Sequence, residues 1–287
     1  MISINTNYGG IFAAKASSQA TLRVDQAMER LSTGKRINHA RDDSAGQAIA
    51  TRLAAEIEGL AMASRNVADG QSLVDTAESA LVETHALLLR MREVSVQAAN
   101  GTLSTADNTA LNAEFQQLVA EIDRISDNTS WAGTKLLNGD STGNANTSAT
   151  FAFQAGVNNT TADTISVDIS NADAATLGVF VDNSGNNNIT LTDATNAGAA
   201  IVAVDAAIAA VSTERGKLGA VSNRMSSTMA NLDQITVNLT ASKGRIEDAD
   251  FAAETGNLAK GQILQQAATA MLAQANASKQ QVLTLIR

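Results

Sequence analysis

The sequence predicts a mainly α fold: a long antiparallel helical bundle or coiled-coil rod with a small β-hairpin insertion, both termini helical and paired. Three observations predict it. Apolar residues recur at alternating steps of three and four over most of the chain, the period of helices that lie against other helices. Hydrophobic residues make up 44% of the composition but aromatics only 3%. The apolar content is therefore chiefly Ala with Leu, Ile and Val, which lets helices approach closely while offering little area per contact. The texture breaks once, over 138–198, where Gly, Asn, Ser, Thr and Asp crowd together.

Composition also excludes several function classes. A net charge of -9 and a pI near 4.7 disfavour a nucleic-acid partner, because phosphate binding draws on clustered Lys and Arg. The chain has no Cys, which removes disulfide frameworks and thiolate metal sites. It also has no Pro, so helix kinks and slow prolyl isomerisation are absent. Residues Met1 to Tyr8 show neither the basic start nor the apolar run of a Sec signal peptide. No apolar run reads as long enough to span a bilayer, so membrane insertion is not expected.

Taken in order, a helical face begins at Ile11 with Phe12, Ala16, Ala20, Val24, Ala27 and Leu31. It stops at Ser32-Thr33-Gly34, where Gly is a natural helix end. The charged piece from Lys35 to Ser44 supplies Asp42, Asp43 or Ser44 as a cap for the next helix. Ile49, Leu53, Ile57, Leu60, Val67, Val74, Ala77, Leu81, Leu88 and Met91 then mark one stripe to about Ala99. Unbroken, that helix would be roughly 85 Å long. Asn100-Gly101-Thr102 makes a turn, and Ser104 with Asp107 forms a capping box with Asp in place of Glu. Leu111, Phe115, Leu118, Ile122 and Ile125 space a further helix, antiparallel to the one before.

Inside the break, Thr150–Val157 and Thr164–Ile169 alternate like the strands of a hairpin. Val179-Phe180-Val181 and Ile189-Thr190-Leu191 are candidates for additional short strands. From about Asp193, Ile201, Val204, Ile208, Val211, Leu218, Met225, Met229, Leu232 and Leu239 share one heptad frame. Ser242-Lys243-Gly244-Arg245 is expected to break that run. In the last stretch Leu264, Ala268, Met271, Ala275, Ser278, Val282 and Leu285 fall at steps of four and three. A helix of this kind cannot bury its seam alone, and the N-terminal helix or another copy of the chain is its natural partner. The polymerisation seam is accordingly assigned to Phe12, Ala16, Ala20, Val24, Leu31, Leu264, Ala268, Met271, Ala275, Val282 and Leu285. Three domains follow: a terminal coiled coil of 1–43 plus 244–287, a helical bundle of 44–138 plus 195–243, and a hairpin insertion of 139–194.

No catalytic, metal or cofactor site is expected. His39 lies in the charged connection and His85 on the long helix, with no His-Glu-x-x-His and no nucleophile–base–acid set. Asp42-Asp43 and Glu247-Asp248 with Asp250 stand at helix starts, where carboxylates complement the dipole.

Two segments are more specific. Leu31-Ser32-Thr33-Gly34-Lys35-Arg36-Ile37-Asn38 and Ala40-Arg41-Asp42-Asp43-Ser44-Ala45-Gly46-Gln47-Ala48-Ile49-Ala50 closely resemble the N-terminal signature of bacterial flagellin. Arg245-Ile246-Glu247-Asp248-Ala249-Asp250-Phe251-Ala252 and Gln262-Ile263-Leu264-Gln265-Gln266-Ala267 resemble its C-terminal signature, and Phe153-Gln154-Ala155-Gly156-Val157-Asn158 is similar to its hairpin motif. The resemblance spans roughly 1–170 and 195–287. It implies terminal helices paired into an inner coiled coil around a narrow channel, an outer tube of long helices plus hairpin, and little outer decoration. It also implies a non-enzymatic structural subunit that polymerises into the extracellular flagellar filament used for swimming, a non-closing head-to-tail assembly. Export through the flagellar type III channel, with an export chaperone and hook-associated and cap proteins as partners, belongs to the same implication. So does recognition of the monomer by Toll-like receptor 5, for which Arg90, Glu93, Gln97 and, on the next helix, Glu114 lie in the matching region. Leu89 and Val94 depart from the commoner residues there. Two other classes share the helical ends: a hook–filament junction protein, and a secreted coiled-coil effector or adhesin. The near-complete signatures favour the bulk subunit.

Overall fold

A computed structural model describes residues 6–138, 149–180 and 189–284. Among them run five α-helices and two two-stranded antiparallel sheets, the mainly α architecture with a small β insertion that the sequence predicts. The chain divides into two compact units, Met1–Ile57 with Val237–Arg287, and Glu58–Thr236.

The first unit is organised by α1 (Tyr8–Thr33) and α5 (Phe251–Thr284). Asn7 caps α1 by accepting the Gly10 N–H at 3.0 Å, and Gly34 closes it by donating its own N–H to Arg30 O. The two helices are antiparallel. Asn7 Nδ2 donates to Asn276 Oδ1 (3.2 Å), Gln265 Nε2 donates to Thr21 Oγ1 (3.1 Å) and Arg30 meets Glu254 (2.9 Å), so numbers rise along one helix as they fall along the other. Small residues make the approach possible. A Cβ added at Gly261 would stand 2.8 Å from Val24 Cγ2, so glycine is what lets the helices close at that level.

The first unit corrects one boundary. Instead of breaking at Ser242–Arg245, α4 (Ala194–Glu247) runs through Gly244. A lone Gly costs only about 1 kcal/mol in a helix, and the i→i−4 ladder continues to Asp248 N→Gly244 O. The helix stops where another strand of chain captures its last carbonyls. Arg36 donates its N–H to Glu247 O (2.6 Å) and Nη2 to Ile246 O (2.7 Å), while Ala249 N–H reaches Gly34 O (2.9 Å). Asp250 then accepts the N–H groups of Ala252 and Ala253 and opens α5.

The second unit is a bundle with a hairpin against it. The helix α2 (Ser44–Ala98) is unbroken over 55 residues, about 82 Å at 1.5 Å per residue. The capping box forms as expected at the start of α3 (Thr105–Asn128): Ser104 Oγ accepts Asp107 N–H, and Asp107 accepts Ser104 N–H. The Ser104 hydroxyl, which donates to Asp107 Oδ2 at 2.7 Å, and after it the Ser104 N–H hold the Asp107 carboxyl below its ordinary value. Leu81, Leu88 and Met91 of α2, Phe115 and Ile122 of α3, and Val204, Leu218 and Met225 of α4 are all buried. Arg92–Asp205 (2.6 Å) and Arg215–Glu78 (2.9 Å) tie α2 to α4 in antiparallel order.

A short hairpin of β1 (Ser130–Trp131) and β2 (Thr134–Lys135) turns through Ala132 and Gly133, both at positive φ. It was not expected, because Ala-Gly is a weaker hairpin signal than Asn-Gly. The expected hairpin is present as β3 (Ala149–Gln154) and β4 (Thr164–Ile169), in register from Ala149 opposite Ile169 to Gln154 opposite Thr164. Ile165, Val167 and Ile169 are buried while Ser166 and Asp168 are exposed, the alternation of a sheet with one wet face. A Cβ at Gly70 would lie 2.9 Å from Met225 Cε and 3.0 Å from Phe153 Cγ, so α2, β3 and α4 converge on that glycine.

Two expectations are corrected here. Residues 179–180 and 189–191 are not strands, and Val181 lies outside the described residues. Val179 and Leu191 are instead buried anchors of irregular chain, Leu191 N–H being taken by Asn112 Oδ1 (2.9 Å). The helix α4 also contains an 18-residue window of mean hydropathy 1.6, long and apolar enough by composition to cross a membrane, contrary to the reading of the sequence. In the fold, Val204, Ala207, Val211 and Leu218 of that helix are buried in the bundle.

Candidate functional site

The structure divides the expected seam in two. Ala20, Val24, Leu31, Ala268 and Ala275 are buried or half-buried in the α1–α5 pair. They belong to a seam of Gly10, Ala13, Ser17, Ala20, Val24, Ala27 and Leu31 against Glu254, Leu258, Gly261, Gln265, Ala268, Leu272 and Ala275, with steps of three and four on both helices. Phe12, Leu264 and Met271 stand outside it, 77%, 38% and 64% exposed. Ala16 is half-buried and Ser278 exposed. The side chain of Val282 and all of Leu285 lie outside the described residues.

Those outward residues share one feature. A groove of about 440 Å³ runs along the helix pair, with Phe12, Ala13, Leu264, Ala268, Met271 and Ala275 among its lining. Ile11 and Ile263 are exposed beside them. On an isolated chain such a cluster is apolar surface without cover. A second groove on the pair is polar: Arg23, Arg30 and Lys260 line it around the buried Glu254. Glu254 is satisfied by Arg30 Nη1 (2.9 Å) and Asn257 Nδ2 (3.2 Å).

The connection between α1 and α2 is held by polar bonds. Lys35 Nζ meets Glu247 at 2.7 Å, and His39 Nε2 lies 2.8 Å from Glu29. Asp43 Oδ1 accepts Gly46 N–H (2.8 Å) and caps α2. Asp42 accepts the N–H groups of His39 and Asn38, and the His39 bond foremost holds its carboxyl below the ordinary value. These carboxylates serve the backbone, and among the described residues no three acidic or His side chains gather as a metal site.

In the second unit, Arg90, Glu93 and Glu114 form one charged cluster. Arg90 Nη2 meets Glu114 at 2.7 Å and Nη1 meets Glu93 at 3.0 Å; the Glu114 bond is the main reason the guanidinium is held above its ordinary pKa. Gln97 is exposed on the same helix. Sequence reasoning did not single out Val82 and Val96, exposed seven residues to either side of the exposed Leu89. Their spacing was the available signal, masked by the stronger buried stripe of α2.

Comparison with known proteins assigns the class. The profile of the bacterial flagellin N-terminal helical region matches residues 4–142, and that of the C-terminal helical region matches 201–286. A flagellin of Halalkalibacterium halodurans is 45% identical over 262 residues, 91% of each chain. The flagellar filament 33 kDa core protein of Treponema phagedenis is 39% identical over 99% of each. A solved structure of a putative flagellar hook-associated protein from Vibrio parahaemolyticus superposes with a TM-score of 0.59 over 72% of this chain and 100% of that one. At 17% identity that likeness shows the fold alone. A chain with a paired terminal-helix unit and a helical-bundle unit is here a structural component of the bacterial flagellum. The chain belongs to the bacterial flagellin family. Its function is that of a self-polymerising structural subunit of the filament, an extracellular appendage, and the family is not enzymatic. The junction-protein and effector readings are not favoured.

Proposed function

We propose that copies of this chain join through the outward apolar face of the α1–α5 pair, with Phe12, Ala16, Leu264 and Met271 as the contact and Ala20, Val24, Leu31, Ala268 and Ala275 holding the pair behind it. The observation that carries this is the groove lined by the exposed Phe12, Leu264 and Met271. Each large side chain buried there would contribute on the order of 1.5–3 kcal/mol before entropy losses. Repetition along a head-to-tail contact then yields a filament. In this reading 1–43 with 244–287 is the terminal coiled-coil assembly domain, 44–138 with 195–243 the helical-bundle domain, and 139–194 the surface insertion of the bundle domain.

The same reading carries secretion through the flagellar type III channel. A chain without Pro or disulfides, and with shallow contacts between its end helices, suits unfolded passage. A chaperone would cover the C-terminal face until delivery, and hook-associated and cap proteins would receive it. The Arg90, Glu93, Gln97 and Glu114 face is the surface we assign to Toll-like receptor 5, and Arg90→Glu should abolish signalling by the monomer in a receptor reporter assay.

The direct test is Leu264→Asp and Met271→Asp. Negative-stain microscopy of salted protein should show filaments for the parent and none for either variant, with unchanged helix content by circular dichroism. Filaments of normal length from both variants would sink the proposal.

A further inference from the structure

Two Asn-Gly pairs occur in the chain, Asn100-Gly101 and Asn138-Gly139. Their side chains are held differently. We propose that Asn100 is a site of spontaneous deamidation: a modification of the α2–α3 turn that needs only water.

The reaction is an attack by the Gly101 backbone nitrogen, after loss of its proton, on Cγ of Asn100. A new N–Cγ bond closes a five-membered succinimide, the Cγ–Nδ2 bond breaks and ammonia leaves. Water then opens either carbonyl of the ring and leaves aspartate or isoaspartate. One water is consumed and one ammonia released, with no change in oxidation state.

The turn meets each requirement. Asn100 and Gly101 are exposed to the water that opens the ring, and both lie beyond the end of α2. Among the described residues the Gly101 N–H has no acceptor, whereas Asn100 N–H, Thr102 N–H and Leu103 N–H around it are all bonded. The nucleophile is therefore the one amide of 100–103 not held by the fold. Asn100 Oδ1 accepts Thr102 N–H at 3.3 Å. That bond closes an Asx turn around the Gly101 peptide, and among the described residues Nδ2, the leaving nitrogen, has no hydrogen-bond partner. Nothing stands within 4 Å of a Cβ built on Gly101, so ring closure is not obstructed.

Asn138 is the internal control. Its Nδ2, the nitrogen that would have to leave, donates to the Asp127 carboxylate, a bond that must break before the carboxamide can react. Asp69-Gly70, the related Asp-Gly pair, lies inside α2, where the helix ladder holds the glycine N–H. Conversion at Asn100 would place a carboxylate at the carbonyl end of α2, whose last turn carries no basic residue, and loosen that turn through the helix dipole.

The test is to incubate the full folded chain at mildly alkaline pH, map its peptides by mass spectrometry and label isoaspartate with a protein isoaspartyl methyltransferase. Asn100 should convert about tenfold faster than Asn138, the factor for breaking one hydrogen bond to a charged group. Gly101→Ala should suppress conversion at 100 while circular dichroism stays unchanged. In denaturant the two sites should convert at similar rates. Equal rates in the folded chain, undiminished conversion in Gly101→Ala, or a ratio that persists on unfolding would each overturn the proposal.

Discussion

The α1–α5 pair and the bundle of α2, α3 and α4 solve the same packing problem in opposite ways. Between α1 and α5 half of the fourteen seam residues are Ala or Gly, and the helices close tightly where Gly261 meets Val24. In the bundle the contacts are made by Phe115, Leu88, Met91, Leu218 and Met225, all fully buried. Close approach through small residues buries little area, at roughly 25 cal/mol per Å². Long side chains bury much more. The bundle therefore holds itself, whereas the terminal pair leaves Phe12, Leu264 and Met271 uncovered and gains most from a neighbouring copy. Stability and assembly are assigned to different units by the size of the residues in each seam.

The contrast can be broken in descending order of effect. Phe115→Ala should cost about 3–5 kcal/mol and lower the denaturant midpoint of the whole bundle. Gly261→Leu overpacks the terminal seam against Val24, at about 1–3 kcal/mol. Limited proteolysis should then release the end helices while the Glu58–Thr236 unit resists. Ser104→Ala removes a cap worth about 1 kcal/mol, with loss confined to α3 and measured by amide exchange. The cap also sets a pH dependence. Asp107 has its carboxyl lowered in the fold, so its contribution is present above the ordinary value of 3.8 and is lost as pH falls through the lowered one. Acid titration of α3 amide protection should show that loss, and Ser104→Ala should flatten it. Arg90→Ala should leave the denaturant midpoint of the bundle nearly unchanged, because exposed ion pairs contribute little.

Much of this was legible in the sequence. The stripe of α2, the capping box of α3 and the β3–β4 hairpin are local patterns, and local physics decides them. The phase of α5 was harder to read. Ile263, Leu264, Ala267, Ala268, Met271 and Leu272 place apolar atoms nearly all around that helix, so the frame through Leu264 and Met271 fits as well as the one through Gln265 and Leu272. The observed frame is chosen by Gly261 against Val24 and by the bonds of Arg30 and Thr21 across the pair, all between residues more than two hundred positions apart. The end of α4 at Glu247 has the same cause, since Arg36 terminates it from the other side of the sequence.

Hydrogen–deuterium exchange on the free chain and on filaments compares the two units most directly. Amides of α1 and α5 should exchange readily in the free chain and become strongly protected in filaments, while core amides of Glu58–Thr236 change little. Full protection of α1 and α5 already in the free chain would contradict the account.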